Sequence, residues 1–86
     1  MEYNYPLDYT WSTDDIIDVV ALYNAVEQAY EKGISKEDFL TAYRRFKNVV
    51  GTKSEEKQID KQFEEVSGYS IYRVFQASKE SDWIKL

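Results

Sequence analysis

Residues 53–66 carry the densest charge in the chain, with an acidic row beside a basic row. Asp60 and Glu64 are four residues apart, so a helix places both carboxylates on one face. Carboxylate oxygens are ligands that Mg²⁺ prefers, which makes this pair one hypothesis for a metal site. The neighbouring row consists of Lys53, Lys57 and Lys61. Because opposite charges at this spacing commonly stabilise exposed helices, we interpret both rows as a solvated face and predict no metal site.

Catalytic side chains are scarce in this sequence. Ser54 and Lys57 have the Ser-x-x-Lys spacing of some acyl-enzymes, in which the lysine acts as a base. The carboxylates around Lys57 favour its protonated form, which cannot accept a proton. The chain has no Cys and no His, which removes the usual ligands of zinc, haem and iron–sulfur centres and the base of a His-activated nucleophile. We therefore expect no catalytic residue, no cofactor, no small-molecule substrate and no enzymatic activity.

The net charge of −5 is unevenly distributed over the 86 residues. Residues 1–33 hold seven acidic residues and one basic residue, whereas residues 34–53 hold five basic and two acidic residues. The second segment includes Arg44, Arg45 and Lys47, which predict a local basic face on a helix. An acidic protein is repelled by polyphosphate, so nucleic-acid binding through this face is the less favoured hypothesis. The face could instead pair with an acidic protein surface, including that of a second copy.

Aromatic residues are in surplus, with eight Tyr, four Phe and two Trp making up 16% of the chain. A small core rarely needs so many, and Tyr and Trp are enriched at interfaces because each joins an apolar ring to a polar group. We predict that an N-terminal segment covers the core with Tyr5, Tyr9 and Trp11. The aromatic residues predicted to contact a partner are Tyr69, Tyr72 and Trp83.

Four helices are predicted to position these side chains. Ser12, Ser35 and Thr52 each precede an apolar stripe and can accept the backbone N–H three residues on, as N-terminal caps do. Gly33 and Gly51 are expected to end the first two helices. The predicted helices span residues 12–32, 35–50, 52–67 and 70–79.

The core-facing positions are predicted from apolar residues that recur at steps of three and four, the spacing of one helix face. In chain order they are Ile16, Val19, Tyr23, Val26, Tyr30, Phe39, Tyr43, Phe46, Val50, Ile59, Phe63, Val66, Ile71, Val74, Phe75 and Ser78.

Both ends of the chain lie outside the predicted helices. Residues 3–11 alternate apolar and polar side chains, and Pro6 excludes a helix, so this segment is predicted to run as an extended strap along the bundle. A lone strand is not expected there, because it would have no pairing partner. At the other end, the sequence leaves open whether residues 80–86, which include Trp83 and Ile84, dock or fray.

Four segments in order resemble a known family. They are Tyr3 to Asp8 with Trp11-Ser12, Tyr43 to Lys47, Glu55 to Ile59, and Ser67 to Tyr72. Together they resemble the YktA-like family of small bacterial proteins over about residues 2–75. The resemblance implies a compact all-helical protein of Gram-positive bacteria, with no catalytic or ligand residues to carry over. Gly51 departs from the family pattern, in which proline is expected.

The sequence therefore predicts an all-α fold, a small antiparallel bundle of three to four helices with an extended aromatic strap, in a single domain over residues 1–86. We expect a non-catalytic cytoplasmic protein that binds another protein or itself through an aromatic surface. A nucleic-acid accessory factor that uses the basic face of the second helix, with Arg44, Arg45, Lys47 and Lys53, is the alternative. The longest apolar run is far shorter than a membrane span, and the N-terminus lacks the features of a signal peptide.

Overall fold

Four helices account for most of the structure. The computed structural model describes residues 5–86 of the chain. The helices are α1 (Thr13–Glu31), α2 (Lys36–Val49), α3 (Lys53–Ser67) and α4 (Ile71–Ser78). Each differs from its predicted span by no more than a terminal capping residue, and the predominantly α-helical fold is confirmed. Over the described residues, no helix combines the length and the apolar character that are needed to cross a lipid bilayer.

Side-chain caps start all four helices. The Ser12 hydroxyl accepts the backbone N–H of Asp15 at 3.1 Å, and the Asp15 carboxylate accepts the backbone N–H of Ser12 at 3.2 Å. The hydroxyls of Ser35 and Thr52 each accept the N–H three residues on at 3.1 Å, and Ser70 does so at 3.3 Å. These bonds satisfy donors that a helix leaves open, each worth about 1 kcal/mol. The caps predicted at residues 12, 35 and 52 are therefore confirmed.

The core is built on the contact between α1 and α2 and is closed by an aromatic stack. Tyr23 of α1 is fully buried and stacks on Phe63 of α3, with ring centroids 4.6 Å apart, and on Tyr5, at 5.1 Å. The Tyr23 hydroxyl donates to the carbonyl of Pro6 at 2.7 Å, and burial raises the pKa of Tyr23. The other buried apolar residues are Val19, Leu22, Ala25, Val26, Ala29, Ile34, Phe39, Phe46, Val50, Ile71, Val74 and Ile84.

Helix α3 buries a narrower stripe than its apolar spacing predicts. Phe63 is fully buried and Ile59 is half-buried, but Val66 is 38% exposed, so its predicted place in the core was wrong. A helix at the edge of a bundle contacts its neighbours over a limited arc, which here ends before Val66. Polar contacts therefore contribute much of the attachment of α3.

A two-stranded antiparallel sheet, which was not predicted, joins the C-terminal tail to the bundle. Strand β1 (Ile34–Ser35) pairs with strand β2 (Trp83–Ile84), with Ile34 opposite Ile84. The Ile84 side chain is buried, and the backbone N–H of Leu86 donates to the carbonyl of Ala29 at 3.0 Å. The question left open by the sequence is thereby answered, since the tail docks and does not fray.

Gly33 makes this docking geometry feasible. Its φ of +98° is in the region that favours glycine, in agreement with its predicted role at the end of the first helix. An added Cβ would lie 2.6 Å from the indole ring of Trp83. The ring therefore lies directly over the backbone of Gly33, with its other side in solvent, so that Trp83 is 57% exposed.

The N-terminal segment packs along the bundle at its two ends. Tyr5 is half-buried, and its hydroxyl donates to Asn24 Oδ1 at 3.1 Å and to Glu27 Oε1 at 3.0 Å. Trp11 is also half-buried against the core, next to the Ser12 cap. Tyr3, which was assigned to the same strap, lies outside the described residues.

Tyr9 does not cover the core, and this part of the prediction was wrong. The backbone N–H of Trp11 donates to the carbonyl of Asp8 at 3.1 Å, which makes a turn of residues 8–11. The Asp8 carboxylate accepts the Thr10 backbone N–H at 2.8 Å and the Thr10 hydroxyl at 2.7 Å, which stabilises the turn. Because the turn interrupts the extended alternation, Tyr9 points into solvent and is fully exposed.

Candidate functional site

A groove of about 880 Å³ lies between α3 and α4, with Tyr43 of α2 among its lining residues. Asp60 of α3 contacts the first residue of α4, Ile71. Nearer the start of α3, Glu56 accepts a hydrogen bond from Tyr43, which stacks on Phe75 of α4. The contact nearer the start of α3 lies nearer the end of α4. The two helices therefore flank the groove in antiparallel directions.

Asp60 serves as a second cap for α4. Its Oδ1 accepts the backbone N–H of Ile71 at 2.8 Å, and its Oδ2 accepts the backbone N–H of Tyr72 at 3.3 Å and the hydroxyl of Ser70 at 3.4 Å. A carboxylate at this end of a helix also interacts favourably with the helix dipole. Both oxygens are thus engaged with the backbone or side chain of the neighbouring element. Within residues 5–86, no group of three acidic side chains could hold a metal ion.

Glu56 connects α3 to α2. Its Oε2 accepts the Tyr43 hydroxyl at 2.7 Å, and its Oε1 forms an ion pair with Lys47 Nζ at 2.7 Å. Tyr43 also stacks on Phe75, with ring centroids 4.7 Å apart. Burial, followed by the hydrogen bond to Glu56, raises the pKa of the Tyr43 hydroxyl, which therefore stays protonated as a donor. Lys47, predicted as an interaction residue, is held in this internal network.

Five basic side chains remain along the groove. Three come from α3, one from α4 and one from the residue that follows α4, and they are Lys53, Lys57, Lys61, Arg73 and Lys79. All five are exposed, and none has a carboxylate within 4.0 Å in the part of the chain that the structure describes. Lys79 lies over the Phe75 ring, 4.8 Å from its centroid, a cation–π contact.

The acidic side chains of the groove offset this charge only in part. Two of the three, Glu56 and Asp60, have their oxygens committed to internal partners. Glu64 is exposed. The groove therefore presents a positively charged surface on a chain whose net charge is −5.

Tyr72 is the one residue of the six predicted interaction residues that lines this groove. It is 61% exposed, although its backbone N–H is held by Asp60. Tyr69, in contrast, stacks on Tyr30 with ring centroids 4.4 Å apart, and its hydroxyl donates to Glu31 at 2.8 Å. That hydrogen bond raises the pKa of Tyr69. Tyr69 thus joins the loop before α4 to the end of α1 and lies outside the groove.

The remaining predicted interaction residues lie elsewhere. Arg44 and Arg45 are exposed on α2, outside the groove, and Trp83 is exposed on β2 beside Gly33. The structure does not bring the six residues together into one site.

The groove contains residues that the sequence analysis did not select. The lysine row of α3 was recognised by its spacing but interpreted only as a solvated face, and Arg73 and Lys79 were not considered. The i, i+4 spacing of the lysines was the available signal. The sequence does not show where α4 lies, because it does not reveal that Asp60 binds the start of α4 beside the lysine row.

Comparison with known proteins identifies the family. Residues 2–86 match the model of an uncharacterised protein family, UPF0223. A UPF0223 protein of Bacillus mycoides (strain KBAB4) is 58% identical over 80 residues, which cover 93% of this chain and 90% of the relative. The UPF0223 protein YktA of Bacillus subtilis (strain 168) is 49% identical over 86 residues, covering 100% of this chain and 98% of YktA. The resemblance to the YktA-like family is confirmed, and the chain belongs to the UPF0223 family.

Proposed function

We propose that this chain is a non-catalytic protein-interaction module and that its contact surface is the groove between α3 and α4. The observation that carries the proposal is the exposure of Tyr72, 61%, within a concave surface whose basic side chains form no ion pair in residues 5–86. Partly exposed tyrosines and arginines are the residue types that dominate binding energy at protein interfaces. Since the chain has no cysteine, we place this activity in the reducing environment of the cytoplasm.

The contacts inside the bundle leave the groove rigid enough to recognise a partner. Asp60 holds the start of α4, and the stack of Tyr43 on Phe75 contacts the same helix one turn further along. Tyr72 follows directly on the residue that Asp60 anchors, so its ring is presented from an ordered backbone. A preorganised surface loses less conformational entropy on binding than a flexible one.

Nucleic-acid binding through α2 receives less support from the structure. Lys47 is paired with Glu56, which leaves Arg44, Arg45 and Lys53 as the exposed basic residues of this hypothesis. Phe46 is fully buried, and Tyr43 is stacked between its neighbours, so neither ring can stack on a base. We therefore favour a protein partner over a nucleic acid.

Site-specific photo-crosslinking tests the proposal. The full chain is produced in Bacillus subtilis with p-benzoyl-phenylalanine at position 72, and the matched control carries it at position 9, where the tyrosine is fully exposed but lies outside the groove. We expect discrete protein adducts after irradiation from position 72 that are absent from position 9.

Two results would overturn the proposal. Equal adduct patterns from both positions would show that exposure alone determines capture. Adducts from position 72 that disappear on ribonuclease treatment would assign the groove to a nucleic acid.

A further inference from the structure

Exposed basic side chains lie on both walls of the groove. On the α3 wall they alternate with Glu56, Asp60 and Glu64, of which the first two are held by internal partners. Helix α3 supplies Lys53, Lys57 and Lys61 along one side, and α4 with its C-cap residue supplies Arg73 and Lys79 along the other. A ligand with one charged face would satisfy one wall and leave the other unpaired. The groove therefore fits a ligand that carries negative charge on two opposite sides.

The spacing of the lysines matches an extended peptide. Residues four apart on a helix are separated by about 6 Å along its axis. In an extended chain, side chains alternate between two sides, and those on the same side repeat at about 6.6 to 6.8 Å. A run of consecutive acidic residues would therefore place every second carboxylate along the lysine row of α3, and the intervening carboxylates along α4.

A helical ligand fits these walls less well. An α-helix with its side chains is about 10 to 12 Å across and would present one acidic stripe to the groove. An acidic run is also extended by its own repulsion, so it needs little rearrangement to bind.

We infer that the groove between α3 and α4 binds a run of consecutive Asp and Glu residues, in extended conformation, on a partner protein. The inference rests on the proposed function and adds the chemistry of the partner. The exposed ring of Tyr72 provides apolar surface in the groove, against which the methylene groups of glutamate side chains can pack. Glu64 is the exposed lining acid that opposes such a ligand.

Fluorescence anisotropy with a defined peptide tests this inference. The probe is a fluorescein-labelled peptide of eight consecutive glutamates, and the control probe carries eight glutamines. We expect saturable binding of the glutamate peptide to the full chain and no binding of the glutamine peptide. In the double variant Lys57→Ala, Lys61→Ala, we expect the Kd to rise about tenfold, since each exposed ion pair contributes modestly to affinity.

A matched variant separates groove binding from general attraction between opposite charges. The double variant Arg44→Ala, Arg45→Ala also removes two positive charges, but from α2, outside the groove. We expect its Kd to stay within about twofold of the unchanged protein, because the two arginines lie outside the proposed contact. The variant Glu64→Gln should bind the glutamate peptide more tightly, as it removes an opposing charge.

Three results would overturn the inference. Equal loss of affinity in the two double variants would show that net charge alone attracts the peptide. Tighter groove-dependent binding of an eight-nucleotide RNA would reassign the ligand class. No binding of the glutamate peptide, together with discrete protein adducts from position 72, would reject the acidic run while the proposed function stands.

Discussion

At the scale of single residues, the acidic row of α3 illustrates how context assigns a role to a side chain. Asp60 and Glu64 are equivalent by sequence spacing, and both belonged to the less favoured magnesium hypothesis. In the fold, Asp60 accepts two backbone N–H groups of α4, whereas Glu64 is exposed. A carboxylate that satisfies two helix donors acts as a structural cap, and its neighbour in the same row does not.

The pair predicts a large difference in stability between two similar substitutions. Asp60→Ala leaves two backbone donors of α4 without their acceptor, so we expect the free energy of unfolding to fall by about 1 to 3 kcal/mol. Glu64→Ala, the matched control, should change it by less than about 0.5 kcal/mol. Urea denaturation followed by circular dichroism measures both values. Equal effects of the two substitutions would contradict the assigned cap.

At the scale of elements, the segment from residue 5 to residue 11 acts through its ends and not along its whole length. Tyr5 lies in the stack with Tyr23 and Phe63 and joins α1 to α3. Tyr9, at the turn after Asp8, touches solvent only. The contribution of this segment to stability should therefore be concentrated at Tyr5 and at the half-buried Trp11.

The two tyrosines provide a matched test of that arrangement. Tyr5→Ala removes a half-buried ring from an aromatic stack, so we expect a loss of about 2 to 3 kcal/mol in the free energy of unfolding. Tyr9→Ala removes a fully exposed ring of the same size and should alter it by less than about 0.5 kcal/mol. Thermal denaturation monitored by circular dichroism can rank the variants against the unchanged protein. A Tyr9 variant as unstable as the Tyr5 variant would refute the outward position of Tyr9.

The elements also show which features a sequence can predict. The caps at Ser12, Ser35 and Thr52 depend on residues three apart, so their chemistry is contained in a short segment. The pairing of β1 with β2 joins residues about fifty positions apart and involves two residues from each strand, too few to produce an alternating pattern. The local sequence feature at this pairing is Gly33. A glycine just after a helix end is explained by the helix alone, so it does not predict the sheet.

The candidate site was less predictable than the fold for the same reason. Tyr72 was selected as a member of the aromatic surplus, because Tyr joins an apolar ring to a polar group and is enriched at interfaces. The walls of the groove belong to two helices, and the contact that aligns them is made by Asp60, whose carboxylate could equally have been a solvated charge. The packing of one element against another decides such pairing, and the periodicity within a single element contains no information about it.

At the scale of the whole molecule, charge is unevenly distributed. The acidic residues concentrated in residues 1–33 include Glu27 and Glu31 on α1, whereas the basic residues of α3 and α4 line the groove. In the proposed function, the basic residues of the groove would attract an acidic partner to this surface, even though the net charge is −5. The uneven distribution also brings like charges together near the end of α1.

This crowding makes the stability of the molecule depend on pH through Glu27. Burial, and then repulsion from Glu31, raise the pKa of Glu27 above its ordinary value of 4.5. The folded state therefore binds this proton more tightly than the unfolded state does. The stabilisation that results is fully present below the unfolded pKa and is lost as the pH rises through the folded pKa.

Glu27→Gln removes this titration while preserving a side chain that can accept the hydrogen bond from Tyr5. We expect the unchanged protein to gain stability relative to the variant as the pH falls from 7 toward about 4, the region of the ordinary glutamate pKa. Urea denaturation of both proteins at several pH values measures the difference, in which the titration of all other groups largely cancels. Two results would contradict the raised pKa of Glu27 and the crowding that causes it. One is a difference in the free energy of unfolding between the two proteins that does not change with pH, and the other is a difference that moves in favour of the variant as the pH falls.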